Sequence, residues 1–469
     1  MSDEQVTPDL VYESTTVSHS NPRYTRIAPT NGTQTITLSN SSSTGPVEFL
    51  TSPNACMNLS KSTIQFDVQI GDAGASLTNV ISANPLCLFQ RIVVSLQSGQ
   101  ILLDLNNVSK LGIATMSAYS SFIETMNNTK GLINLATTQA ASSISPLDCI
   151  QRGDSNAATN VNLVGDTALG DCVGATPRMF IYGATQHVPN YVSYQFQFGN
   201  AFKNTILGLD KLLYFQDNTL SIQFYFQNFD AFSWICTTPT TSLTTGQASV
   251  TSMTVTNMIL TLQQEANYDL VKQVVALAKS DKGIELPVGY VYSQKTNQTG
   301  NSHSIQYQLT QGFGNSLNYV VYAPFQNNIA IGDKWINAFN NSINTISRGA
   351  TASIALLNYN TYLDQLPISN AGQGFDVTHN EQWIANIRSI NKSMILSAVD
   401  YANNFVHFDN YTASTLCDFD QTTQQGLSLK EPHIYSATTN WAASSNTNHF
   451  VWLYTNRILK INSAGVQLI

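Results

Sequence analysis

The sequence predicts an all-β protein: two β-sandwiches in tandem, joined by a short helix-containing linker. Three observations carry this. Apolar residues fall in short runs that alternate with polar ones, the period-two mark of half-buried strands. A single well-marked segment, lying between two strand-rich regions, changes to helical spacing. The chain shows neither a βαβ rhythm nor a tandem repeat of roughly 20–50 residues, which disfavours parallel α/β folds, solenoids and propellers. At 469 residues it exceeds the ~250–300 residues at which one core stops growing, so two halves are expected.

Residues 1–30 show no periodicity, contain Pro8, Pro22 and Pro29, and are expected to form an extended arm. The first sandwich is assigned to 31–264. Alternation starts with TQTITLS (33–39) and PVEFLT (46–51) and is clearest in KSTIQFDVQI (61–70), where Ile64, Phe66, Val68 and Ile70 share one face. LCLFQRIVVSLQ (86–97) and QILLDL (100–105) follow, with Ser98 and Gly99 as a hairpin-type turn. A helix is plausible over 108–123. The stretch 128–177, rich in Ala, Thr, Ser, Asn, Asp and Gly, reads as a long exposed insertion. RMFIY (178–182), YVSYQFQFG (191–199), LSIQFYFQ (220–227) and SMTVTNMILTLQQ (252–264) complete this half.

The linker is assigned to 265–283. Leu270, Val271, Val274, Val275 and Ala278 sit at helical spacing, Asn267 or Asp269 can cap the start, and Gly283 follows the end. The second sandwich, 284–469, begins with IELPVGYVYSQ (284–294), SIQYQL (304–309) and LNYVVYAP (317–324). Short helical pieces are expected near 333–340 and 380–390. FVWLYTNRILKINSAGVQLI (450–469) closes it as two strands around Asn462-Ser463-Ala464-Gly465.

Composition bears on function. Only 11% of residues are charged, against roughly 25% in an average globular protein, while mean hydropathy stays at -0.08 because Asn, Thr, Ser and Gln replace the charges. Such polar groups can hydrogen-bond across wet interfaces without desolvating ions, which suits a protein that lies against its own copies. A net charge of -8 argues against general affinity for nucleic acid. No run of 18 or more apolar residues is present, so no helical membrane span is expected, and the acidic start lacks a secretory signal pattern. The cysteines, Cys56, Cys87, Cys149, Cys172, Cys236 and Cys417, form no CxxC pair and are expected as free thiols, with Cys87 and Cys236 in apolar strand text. Asn-x-Ser/Thr sequons such as those at Asn31, Asn297 and Asn410 arise by chance in a chain of this composition.

No catalytic, cofactor-binding or metal-binding residue is assigned. HExxH, GxSxG, the phosphate-loop pattern and GxGxxG are all missing from the sequence. Gln311-Gly312-Phe313-Gly314 reads as a turn or bulge between strands. The best metal-like group is Asp376, His379 and Glu381, with His407 and Asp409 further on, and a solvated loop is the expected reading. The aromatic faces (Tyr194, Phe196, Phe198; Phe224, Phe226; Trp452, Tyr454) are expected as core or inter-subunit packing rather than stacking platforms. Lys279, Lys282 and Asp281 read as a solvated helix end.

Three stretches resemble the double jelly-roll major capsid proteins of tailless icosahedral viruses, the lineage of the adenovirus hexon and the virophage and polinton capsid proteins. NPLCLFQRIVVSLQSGQILLDLNNVSKL (84–111) looks like the early strands of that family. HVPNYVSYQFQFGNAFKNTILGLDKLLYFQDNTLSIQFYFQ (187–227) is similar to its late strands, with a Gly-Leu-Asp-Lys-Leu-Leu bridge. HFVWLYTNRILKINSAGVQLI (449–469) resembles the closing strand pair of the second roll. The resemblance implies a homotrimer whose six jelly rolls form a pseudo-hexagonal capsomer of an icosahedral virion shell. It also implies contacts with penton and minor capsid proteins or an internal membrane, and synthesis in the host cytoplasm. It makes 128–177 and the 228–250 loop candidates for outer towers, and puts the arm on the inner side. The first 60 residues carry Arg23 and Arg26 against Asp3, Glu4, Asp9, Glu13 and Glu48, so direct genome binding by the arm is not expected. Two other readings compete: an all-β attachment protein that binds a receptor or carbohydrate through its loops, and a sandwich enzyme, which needs a carboxylate pair that spacing does not reveal.

Overall fold

The computed structural model describes residues 20–30, 35–71, 78–82, 85–112, 179–183, 191–202, 205–236, 247–326, 356–368, 375–376, 407–411 and 426–469. Among the described residues thirteen strands precede the linker: β1 (Pro22–Ile27), β2 (Thr35–Thr37), β3 (Thr44–Leu50), β4 (Met57–Ile70), β5 (Thr78–Ser82), β6 (Phe89–Leu96), β7 (Ile101–Asn106), β8 (Met179–Gly183), β9 (Tyr191–Gln197), β10 (Leu220–Phe226), β11 (Ser233–Cys236), β12 (Gln247–Ala248) and β13 (Met253–Glu265). Alternation does what it predicts: in β4 the side chains of Ile64, Phe66, Val68 and Ile70 are buried while Gln65, Asp67 and Gln69 are turned away from the core.

The pairing of these strands defines the fold. In chain order the principal eight are β1 with β2, then β3, β4, β6, β7, β9, β10 and β13. The first pairs with the eighth, the second with the seventh, the third with the sixth and the fourth with the fifth. The eighth also pairs with the third, and the seventh with the fourth. This nesting yields two facing sheets, β1-β13-β4-β9 and β3-β10-β6-β7, and is a jelly roll.

Between the halves, α1 (Tyr268–Ala278) is capped by Asn267, whose side chain accepts from the Asp269 and Leu270 amides. Val271, Val274 and Val275 pack partly against the core, and Ala278 is buried. Gly283 ends the linker with φ +67°, and a Cβ there would meet Ile461 O at 2.2 Å, so both conformation and space require glycine.

The second half contains β14 (Ile284–Leu309), β15 (Ser316–Gln326), β16 (Leu356–Leu363), β17 (Leu366–Pro367), β18 (Phe375–Asp376), β19 (His407–Asn410), β20 (Leu427–Ser428), β21 (His433–Asn462) and β22 (Gly465–Leu468). These hydrogen-bond as one nine-stranded sheet, but β14 and β21 are each two strands in series. Their ladder shifts register between Gly300 and Ser302. Residues 284–300 pair with 445–461, whose other edge binds β15, and β15 in turn binds β19. Residues 302–309 pair with 433–440, whose other edge binds β16, which binds β17 and β18. Counting each half of β14 and β21 as a strand, the wiring repeats that of the first half: 1 with 8, 2 with 7, 3 with 6, 4 with 5. The fold is two tandem jelly rolls. Gly300, at φ +139°, sits at the bend.

Differences from the sequence reading have physical reasons. The stretch read as an arm contributes β1, an edge strand on which Tyr24 is exposed and Ile27 packs partly against the core, so it shows no alternation. IELPVGYVYSQ and SIQYQL run on through one bent ladder, β14, with no loop between them. The 228–250 loop supplies β11 and β12, which form a separate sheet, β12-β11-β5-β8, with strands from two other connections at the same end of the roll. A helix starts at 108–112; the rest of 108–123, the 128–177 insertion and the helical pieces at 333–340 and 380–390 lie outside the described residues.

Candidate functional site: the roll–roll contact and the buried polar chains

In the second roll, the sheet formed by the first half of β14, the second half of β21, β15 and β19 is apolar on both faces of β15. Val320 and Tyr322 face its own core, while Tyr319, Val321, Ala323 and Phe325 join the same buried cluster as the first roll. That is why LNYVVYAPF reads as a continuous apolar run rather than an alternating one. Phe450, Trp452 and Tyr454 lie in this cluster with Val288 and Val291. The aromatics of the first roll singled out in the sequence, Tyr194, Phe196, Phe198, Phe224 and Phe226, are likewise fully buried in ring-on-ring packing around Phe66 and Phe89.

The contact is also polar at one strand edge. β7 is the last strand of its sheet, and its Asp104 amide donates to Tyr290 Oη at 3.1 Å. Asn107 Nδ2 donates to Ser293 Oγ at 2.7 Å, and Lys110 Nζ lies 5.1 Å from the Phe325 ring centre. Arg91 binds the Asp104 carboxylate through two nitrogens, both at 2.7 Å; this bond, against some burial, holds the guanidinium above its ordinary value. Burial pushes the Tyr290 hydroxyl up to about 12, so it stays protonated.

A second set of bonds aligns the two rolls at the end where β1 and β14 begin. Gln216 Nε2 donates to the Ala278 and Asn462 carbonyls. Lys279 Nζ bridges to Asp217 at 3.0 Å, and Ser463 donates its amide to Ser280 O and its hydroxyl to Asp281. Lys279, Asp281 and Lys282 are exposed, as expected of a solvated helix end, and Lys279 and Asp281 also bond across the junction. Within the first roll, Asp210 of the Gly-Leu-Asp-Lys-Leu-Leu bridge accepts from Asn58 and pairs with Lys61. Glu265 accepts from Ser20 Oγ and from the Asn21 and Asn267 amides, tying the start of the described chain to the linker.

The core of the second roll holds two hydrogen-bonded chains. Tyr359 Oη is 2.8 Å from His407 Nδ1, His407 Nε2 is 2.7 Å from Asp409 Oδ1, and Tyr435 Oη donates to Asp409 Oδ2 at 3.1 Å. In the other, Tyr322 Oη is 2.8 Å from His449 Nδ1, His449 Nε2 is 2.9 Å from His303 Nδ1, and His303 Nε2 is 3.2 Å from Gly300 O. Burial pushes His449 down to about 3 and also lowers His303, where the carbonyls of Gly300 and Ser445 oppose it. Every one of these histidines is at most 2% exposed.

Of the group Asp376, His379, Glu381, His407 and Asp409, this corrects the solvated-loop reading for His407 and Asp409. His407 and Asp409 lie on β19, buried and bonded to each other; Asp376 lies on β18 opposite Asn358; His379 and Glu381 are outside the described residues. Among the described residues no group of three His, Cys, Asp or Glu could hold a metal. Cys56 and Cys87 are buried free thiols, and burial pushes Cys56 up to about 11. The His303–His449 chain was missed because its members are 146 residues apart. Its signal was present, since alternation in SHSIQYQL puts His303 on the face of Ile305, Tyr307 and Leu309.

No protein-family model matches the sequence, and no curated protein matches it. Solved structures do match in fold. PBCV-1 VP54, as fitted into a reconstruction of the virophage Sputnik, superposes with a TM-score of 0.53 at 10% identity over 96% of this chain and 97% of that one. The PBCV-1 virus capsid model gives 0.54 at 11% identity, covering 96% and 97%. The Faustovirus major capsid protein gives 0.50 at 9% identity, covering 95% and 91%. The chain has the double jelly-roll fold of these viral capsid proteins.

Proposed function

We propose that the chain is a major capsid protein, located in the virion, that self-assembles as trimeric pseudo-hexagonal capsomers of an icosahedral shell. The observation that carries this reading is the repeated wiring of the two rolls together with the shared apolar cluster that fixes them side by side. A unit with two like rolls gives six when three copies meet around one axis, which fills a hexagonal outline with a trimer. Charge-poor, Asn- and Thr-rich surfaces suit the wet contacts between neighbours. The proposed role is structural rather than enzymatic.

The two ends of the molecule support different placements. Accessory strands β5, β8, β11 and β12 gather at one end, which suits an outer surface. At the other end, where the linker and the start of β1 lie, are the exposed apolar side chains of Tyr24, Tyr268, Leu277, Leu366, Ile434 and Ile469. That end suits the inner side, against minor or penton capsid proteins or an internal membrane. On this reading the arm makes no sequence-specific contact with nucleic acid, and the protein is made in the host cytoplasm. Size-exclusion chromatography with light scattering is the direct test. The expected mass is three times 51.3 kDa, about 154 kDa, or a larger assembly of trimers. A monomer that persists at high concentration contradicts the proposal.

A further inference from the structure

The Tyr322–His449–His303 chain bridges the two sheets of the second roll. Tyr322 and His449 belong to one sheet (β15 and the second half of β21), and His303 to the other (the second half of β14). The chain lies beside the bend at which both long strands cross between sheets. Its proton arrangement follows from its last member. Gly300 O can only accept, so His303 Nε2 carries the hydrogen; His303 Nδ1 then accepts from His449 Nε2–H, and His449 Nδ1 accepts from the Tyr322 hydroxyl. All four ring nitrogens are committed. An extra proton on His303 Nδ1 would face the His449 N–H, and one on His449 Nδ1 would require Tyr322 to turn from donor to acceptor.

We propose that this chain is an acid-sensitive latch that holds the two sheets of the second roll together at their bend, and that protonation releases it.

The surroundings offer a new cation little. Tyr307 and Thr296 face the chain from β14 and Trp441 from β21, and among the described residues the charged form of His303 is favoured by the Gly300 and Ser445 carbonyls alone. The carboxylate described in this core, Asp409 on β19, is already bonded by His407 and Tyr435. An opened bend exposes imidazoles that take up protons near pH 6.5, whereas burial in the closed form lowers both, His449 to about 3. The open form therefore binds more protons, and closure weakens as the pH falls from about 6.5.

Hydrogen exchange on the full-length protein, corrected for intrinsic rates, tests this. Between pH 7 and pH 5, opening of the amides in 296–305 and 443–451 should rise by about 25-fold through protonation of His449, and further through that of His303. β4 and β13 should keep their protection. His449→Phe should remove that factor, and His303→Asn should reduce the remaining pH dependence. A bend whose opening is unchanged between pH 7 and 5, or changes equally in the double variant, overturns the latch. Should the variants not fold, nitrogen-15 imidazole spectra of the unaltered protein at pH 7 decide: both rings neutral with the proton on Nε2 is the expected result, and either ring charged or protonated on Nδ1 overturns it.

Discussion

The two rolls share one wiring diagram and fill it with different chemistry. The first packs Phe49, Phe66, Phe89, Phe196, Phe198, Phe224 and Phe226 into an interior of interlocking rings. The second buries Tyr322, Tyr359, Tyr435, His303, His407, His449 and Asp409, tied together by hydrogen bonds. The first closes its ends with separate connections and an accessory sheet, whereas the second runs two strands continuously around a corner. The topology thus constrains which strands meet but not whether dispersion or hydrogen bonding holds them. An apolar interior tolerates a range of conditions, while a polar one must keep every member satisfied. The second roll is therefore the half whose stability should respond to pH and to single-atom changes.

Substitutions sharpen that contrast. Phe66→Ala should have the largest effect, because Phe66 touches Phe89, Tyr194 and Phe226; a loss of about 3–5 kcal/mol in denaturant unfolding is expected, with little dependence on pH. Tyr322→Phe removes one hydroxyl and leaves His449 Nδ1 without that donor, so about 1–3 kcal/mol should be lost from the second roll. If Tyr322→Phe instead proves neutral, the polar core is not what holds that roll. Asn267→Ala, which removes the cap of α1, should cost about 1 kcal/mol and leave both cores intact, read as exchange confined to the linker helix.

The first roll was the more legible half in the sequence for the same reason. Its strands put large apolar residues on one face and polar ones on the other, as in Val192 to Phe198 and Leu220 to Phe226, so period two is plain. In the second roll, β16 (LLNYNTYL) and the early part of β21 (HIYSATTNW) point Tyr359, Tyr435, Ala437 and Thr439 inward, and such small or polar core residues hide the alternation. The apolar run around Val320 reflects burial on both faces, which a single sequence does not separate from one buried face. The linker helix was readable from its spacing and cap, since both signals are local. The latch and the Asp104–Tyr290 contact were not, because they join residues far apart in the chain.

The central claim is that two like-wired rolls, locked side by side, form a single building block for a sixfold outline from three copies. Electron microscopy of the purified protein tests it most directly. Class averages down the particle axis should show three copies contributing six density lobes around a threefold axis; single molecules, or rings of any other symmetry, would contradict it.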